Sequence, residues 1–187
     1  MDAQIAELAR RYGRPRRLVH TLPAVDFSPR HRGRVAEVAM AIRRPNGRYL
    51  LQAKRSYPEG TFRLPTGGIE RGEAIEHALL READEETSLA VDVTRFVAAI
   101  TYRSPQGRRI FSSYLFILEE RSGELRCNDP REAISDWLEA DRDGLDEAAR
   151  RLRACPDPWA EWGSFRALVL DALVPEVAEP PDGIAAR

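Results

Sequence analysis

The chain has 187 residues, 43% of them hydrophobic, and a formal net charge of −1. That length and apolar content suit one globular domain with a sizeable core, and the near-zero charge gives no overall pull towards nucleic acid. No run approaches the roughly 20 apolar residues of a membrane span, and the N-terminal stretch lacks the apolar core of a signal peptide, so a cytoplasmic protein is expected. Residues 3–12 place Ile5, Leu8, Ala9 and Tyr12 at helical spacing and predict a short amphipathic helix. The arm that follows, "GRPRRLVHTLPAVDFSPRHRGR", is rich in proline and arginine and reads as a solvated linker whose basic cluster could also meet a phosphate or a partner chain. "RVAEVAMAIRR" is a mostly apolar run, hence a buried strand, and "PNG" turns it into a second strand, "RYLLQAKR". The segment "SYPEGTFRLPTGGIERGE" is loop-rich, with a short strand expected around Phe62–Leu64. Residues 74–87 predict a helix. Two long β runs, "VDVTRFVAAITYR" and "RRIFSSYLFILEE", are joined by the turn "SPQG", and residues 133–139 add a short strand. "DRDGLDEAARRLRA" and "WAEWGSFRALVLDALV" read as two more helices. The expected organisation is a helix and basic arm over 1–33, one domain over 34–174 and a disordered tail over 175–187. Strands joined mostly by hairpins and interleaved with helices predict an α/β class, a mixed sheet sandwiched by helices. Cys127 and Cys155 have no metal-type spacing and read as reduced thiols.

The helix at 74–87 carries an odd charge pattern. Glu82, Glu85 and Glu86 crowd its last turns, where the helix dipole is itself negative. At roughly 100° per residue, Ile75, Ala78, Leu79, Glu85 and Glu86 all fall within roughly 60° of Glu82. The acids therefore continue the apolar, core-facing stripe. A solvated acidic face would lie elsewhere on the helix. Arg81 points roughly 100° away and is not expected to neutralise all three. Carboxylates converging at the edge of a core raise one another's pKa or require a cation, and a hard divalent ion with oxygen ligands fits.

The residues upstream extend the pattern. From Gly67 the chain reads Gly67, five residues, Glu73, seven residues, then Arg81-Glu82-Ala83-Asp84-Glu85-Glu86-Thr87-Ser88-Leu89. This resembles the Nudix box, G-x5-E-x7-R-E-U-x-E-E-x-G-U, where U is a bulky apolar residue. Ser88 stands where the box has its final glycine, and Ala83 is small where U is bulky. The resemblance implies an α/β/α sandwich around a mixed β-sheet and the hydrolysis of a nucleoside diphosphate linked to another group. It makes Glu82, Glu85, Glu86 and the Gly67 carbonyl ligands of Mg²⁺ or Mn²⁺, and it makes Glu73 the structural partner of Arg81. Glu132, just before the strand at Trp137, is favoured as a proton acceptor, with Glu119, Glu120 and Asp136 as rivals. Arg55 and Arg63 are candidate phosphate contacts. Tyr102, Phe111, Tyr114 and Trp137 are candidate base-stacking residues, with Tyr102 foremost. Pro105, 16 residues beyond Leu89, resembles a feature of ADP-ribose pyrophosphatases. "LPTGGI" is closer to hydrolases of dinucleoside polyphosphates and RNA caps. ADP-ribose or a nucleotide sugar is the first reading, and a dinucleoside polyphosphate, an NTP or an RNA cap the second. A non-catalytic nucleotide-binding module is the third. The expected partner is a small-molecule nucleotide; homodimerisation is left open.

Overall fold

The computed structural model describes residues 2–22 and 36–177. In chain order the elements are α1 (Asp2–Tyr12), β1 (Arg16–Thr21), β2 (Glu37–Arg43), β3 (Tyr49–Lys54), β4 (Thr66–Gly68), α2 (Ile75–Thr87), β5 (Leu89–Arg103), β6 (Arg109–Gly123), β7 (Ile134–Ala140), α3 (Arg142–Arg153) and α4 (Ala160–Leu173). Six strands form one sheet in the order β1-β5-β6-β2-β3-β7, and β4 pairs with β2 beside this path. β1 runs parallel to β5 and β2 parallel to β6, while the other pairs are antiparallel. The sheet is therefore mixed.

β2 explains the layering. Six of its seven residues are buried, as befits a central strand covered on both faces. Successive side chains point to opposite faces. Val38, Met40 and Ile42 pack with Leu8 of α1 and Ile75 and Leu79 of α2. Ala39 and Ala41 pack with Leu145 and Leu152 of α3 and Phe165 and Leu170 of α4. Two cores, one on each face of the sheet, make the α/β/α sandwich.

Three details differ from the sequence reading. The arm is not all linker: Arg16–Thr21 is an edge strand, with Arg16 paired to Ala98 and Thr21 to Arg103. Its exposure merely alternates, and its composition is polar, so nothing in it shows an apolar face. Its hydrogen bonds come from β5. The rest of the arm, 23–34, lies outside the described residues. Around Phe62–Leu64 there is only an isolated bridge between Gln52 and Arg63, and the strand comes later, at Thr66–Gly68. The start of the expected tail is built into the fold. A 3-10 turn covers Val174–Glu176, and Glu176 meets Arg95 at 2.6 Å and Arg16 at 3.6 Å. Residues 178–187 lie outside the described residues.

α2 ends as a glycine-capped helix would, without the glycine. Ser88 takes the left-handed conformation at φ 58°, its N–H donates to the Asp84 carbonyl at 2.9 Å, and its hydroxyl donates to the Arg126 carbonyl at 3.0 Å. The strain of a side chain there is about 1 kcal/mol, and the added hydroxyl bond offsets part of it.

Candidate functional site

The buried stripe of α2 is Ile75, Ala78, Leu79, Glu82, Ala83, Glu86 and Thr87. Two acids thus sit among core residues. Glu82 is 4% exposed and Glu86 is fully buried, while the Glu85 side chain is 39% exposed. Burial is the largest influence on both inner carboxyls. It pushes Glu82 up to about 7, with help from Glu86 and Glu85 against the pull of Arg81. It raises Glu86 as well, against Arg63, Lys54 and Gln52.

Each acid has a cation. Arg81 Nη1 donates to Glu82 Oε1 at 2.9 Å and to Glu85 Oε2 at 2.8 Å. Its Nε donates to Glu73 Oε1 at 2.8 Å, and its Nη2 donates to the Gly68 carbonyl at 3.0 Å and to Glu73 Oε2 at 3.1 Å. The azimuth of Arg81 underestimated its reach. The long side chain bends back, and the guanidinium fork spreads over two of the three acids and onto the loop. The hydrogen bonds from Arg81 are the foremost cause that holds Glu73 down at about 2. Glu86 lies beyond that fork. It accepts from Gln52 Nε2 at 3.1 Å and from Lys54 Nζ at 3.4 Å, and Lys54 also pairs with Glu132.

Among the described residues, no three His, Cys, Asp or Glu side chains are grouped as a metal cage requires. The three glutamates are not gathered on one point as their azimuths implied: Arg81 Nη1 clasps Glu82 and Glu85 together, while Glu86 is held by Gln52 and Lys54. Their chemistry nonetheless suits a hard divalent ion. All are oxygen donors, the inner two are destabilised by burial when ionised, and the Gly67 backbone lies against one of them. A Cβ built on Gly67 would stand 1.9 Å from Glu82 Cδ. No side chain fits at 67 unless the Glu82 carboxylate is displaced or the helix and loop move apart.

A pH effect follows from Glu82. Its carboxyl keeps a proton in the fold up to about 7 and loses it near the ordinary 4.5 when unfolded. Between those values unfolding releases a proton, so metal-free stability declines as pH rises. Calorimetry is expected to show the melting temperature of the metal-free protein falling on the order of 5 °C more than that of Glu82→Gln between about pH 5 and about pH 7.5. Parallel curves for the two proteins would refute this.

Of the three α2 acids, Glu82 opens onto a cavity of about 500 Å³, within the range of small-molecule sites. Glu82, Glu132, Lys54, Arg63, Arg166 and Glu37 are among the residues that line it. Arg63 is buried, donates from Nε to the Tyr57 hydroxyl at 2.7 Å and from Nη1 to Thr66 Oγ1 at 3.0 Å. Glu132 ends a 3-10 turn, Pro130–Glu132, immediately ahead of β7. Burial pushes its carboxyl up, but the hydrogen bond and charge of Lys54 outweigh that, and it lies below the ordinary value. Arg55 is exposed, one residue past Lys54, and is not part of the lining.

Tyr102 requires correction. It is fully buried on β5, edge-on to Phe165 at 4.8 Å, and outside the cavity. Phe111 and Tyr114 are core residues as well. Of the rival acids, Glu119 pairs with Arg43 and Glu120 with Arg44, and neither they nor Asp136 line the cavity.

Several site residues went unread in the sequence. Gln52 and Lys54 share one face of β3, and Lys54 is the single lysine of an arginine-rich chain; both facts were signals. Glu37 was a lone acid in an apolar run. It lies buried on β2, accepting from Arg166 Nη1 at 2.9 Å on both oxygens and from Ser113 Oγ at 2.7 Å. Its partner is 129 residues away in the chain, which no local pattern reveals. Tyr57, Trp159 and Trp162, which also line the cavity, come from a loop and from the start of α4. A larger groove of about 910 Å³ runs along α1, with Arg10, Arg14 and Arg17 on a mostly apolar lining; it contains no acid.

A model of the NUDIX domain matches residues 33–162. An ADP-ribose pyrophosphatase of Methanocaldococcus jannaschii is 37% identical over 90 residues, 47% of this chain and 52% of that protein. An NAD-capped RNA hydrolase, NudC, of Photorhabdus laumondii subsp. laumondii is 31% identical over 106 residues, 56% of this chain and 39% of that protein. The chain thus spans about half, or less, of the length of these curated relatives. The crystal structure of a MutT NUDIX hydrolase from Burkholderia pseudomallei matches with a TM-score of 0.51 at 23% identity, over 74% of this chain and 97% of that one. That likeness is one of fold. The family match runs from the strand beneath the site to the aromatic start of α4 and encloses the whole acid helix, and on that match the chain belongs to the NUDIX family.

Proposed function

We propose that the protein is a divalent-metal-dependent pyrophosphohydrolase acting on nucleoside diphosphates linked to a second group, with ADP-ribose or a nucleotide sugar as the first candidate. The observation that carries this is a pair of buried acids on one helix, Glu82 against Gly67 at a cavity lined with Lys54, Arg63 and Arg166, and Glu86 behind it against Gln52 and Lys54. Glu82, Glu85 and Glu86, with the Gly67 carbonyl, would hold Mg²⁺ or Mn²⁺. The ion, when bound, screens the diphosphate's charge and lowers the pKa of a water. Lys54 and Arg63 supply positive charge for phosphate oxygens as negative charge builds in the transition state. Glu132, ionised at neutral pH and at the cavity wall, accepts the proton of the attacking water. The water oxygen bonds to one phosphorus, the bridging P–O bond breaks, and the second phosphate departs with the bridging oxygen.

The relatives' names, an ADP-ribose pyrophosphatase and an NAD-capped RNA hydrolase, support substrates in which a diphosphate joins an adenosine to something else. The second of them favours a dinucleotide or RNA-cap substrate as the alternative. The test is phosphatase-coupled phosphate release over a panel of ADP-ribose, nucleotide sugars, NAD, dinucleoside polyphosphates and NTPs. Turnover is expected with Mg²⁺ or Mn²⁺, abolished by EDTA and restored by added metal. Undiminished turnover in EDTA would exclude the metal-dependent reading. Silence across the panel with metal present would leave a binding module.

A further inference from the structure

We propose that Tyr57, Trp159 and Trp162 form the wall on which the nucleobase of the substrate lies, so that these three rings set the preference for nucleotides over base-free diphosphates. The three line the same cavity as Glu82 and Glu132, and each is only partly buried. Exposure at the cavity separates them from the core aromatics: Tyr102, Phe111 and Phe165 also meet edge-on or tilted, yet all three are buried. Tyr57 meets Trp162 at 4.6 Å and 51°, Trp159 at 5.8 Å and 68°, and the two indoles meet at 5.1 Å and 80°. Such tilted and edge contacts are favourable between aromatic rings, and among these three none is laid flat upon another. A planar base has a π-face to match, and stacking on protein rings tolerates any base.

The wall is also held in place. The Tyr57 hydroxyl accepts from Arg63 Nε at 2.7 Å, and Arg63 is anchored in turn by the Leu64 carbonyl at 2.6 Å and Thr66 Oγ1 at 3.0 Å. Trp162 packs on the core beneath α4. A rigid aromatic surface loses little freedom on binding, which favours affinity. Arg63 links the two halves of the cavity, fixing Tyr57 on one side and presenting charge towards the acids on the other. A nucleotide with its base on the wall would extend its phosphates towards Lys54 and Glu82. Only this last placement rests on the hydrolase reading; the base-binding wall does not.

The test separates the two. The chain's three tryptophans are Trp137, Trp159 and Trp162, so a full-length Trp137→Phe protein reports by fluorescence on the wall alone. It is titrated without metal with AMP, GMP, CMP and UMP, and with ribose 5-phosphate as the base-free control. At least one mononucleotide is expected to quench saturably, and ribose 5-phosphate is expected not to. Trp159→Ala in that background should weaken the mononucleotide on the order of ten-fold, while Trp159→Phe, which keeps a ring, should restore most of it. In turnover, Trp159→Ala should raise KM for a nucleoside diphosphate substrate and leave KM for 5-phosphoribosyl diphosphate unchanged. Saturable quenching in a protein that hydrolyses nothing would support the wall and refute the hydrolase. Equal response to AMP and ribose 5-phosphate, no response to any mononucleotide, or undiminished binding in Trp159→Ala would each overturn the wall, whatever the activity assay shows.

Discussion

Glu86→Gln is expected to lower kcat by on the order of 10³-fold while leaving the fold intact and the metal-free protein at least as stable as the wild type. The residue is fully buried, between Gln52 Nε2 at 3.1 Å and Lys54 Nζ at 3.4 Å. Glutamine preserves the shape. Its amide oxygen still accepts from Gln52, and Lys54 keeps Glu132. What disappears is a negative charge that burial disfavours, so a rise in melting temperature of up to about 4 °C is expected without metal. With metal the sign reverses: the wild type gains stability from Mg²⁺ through binding, and the variant gains less. Thermal melts with and without Mg²⁺, beside kcat at limiting Mg²⁺, decide the matter. A variant with wild-type kcat and a wild-type Mg²⁺ stabilisation would remove Glu86 from the ligand set.

Much of this site was legible in the sequence because its signal is local. Glu82, Glu85 and Glu86 fall on the apolar stripe of one helix, and 3.6-residue periodicity alone exposes the conflict between charge and face. Gly67 and Glu73 lie within two turns' length of that helix and enter the same pattern. The parallel pairing of β2 with β6, Glu37 opposite Ser113, is not local, and it seats Glu37 at the cavity. Trp159 and Trp162 sit at the start of a helix whose composition reads simply as core. Only the folded chain carries them across to Tyr57. Tyr102 shows the opposite failure. An aromatic residue in a long strand near the box looked like a stacking surface, but alternation along β5 sends it to the face covered by α4. Arg81 marks a third limit: azimuth gives the direction of a Cβ, not the reach of a guanidinium, and the residue read as facing away holds two of the acids.

That grip sets the largest stability effect expected. Arg81→Gln should lower the melting temperature more than Glu73→Gln does, although the two residues form a pair. Removing the arginine strands Glu73, Glu82 and Glu85 together and releases the Gly68 carbonyl. Removing Glu73 leaves Arg81 with both α2 glutamates and leaves the Glu70 N–H, now bonded to Glu73 Oε2 at 2.9 Å, facing a weaker acceptor. Each change lets the 67–73 loop drift from α2, and a misplacement of about 1 Å can cost on the order of 100-fold in rate. Both single variants should therefore lose activity with their fold retained. The double variant Glu73→Gln/Arg81→Gln is expected to be less destabilised than the two singles summed, by about 1–3 kcal/mol, because either single change already breaks the paired bonds from Arg81 Nε and Nη2 to Glu73. Denaturant melts of the four proteins measure that coupling. Strict additivity would show that Arg81 acts through Glu82 and Glu85 alone, and Glu73 would then be a turn residue rather than the tie between loop and helix.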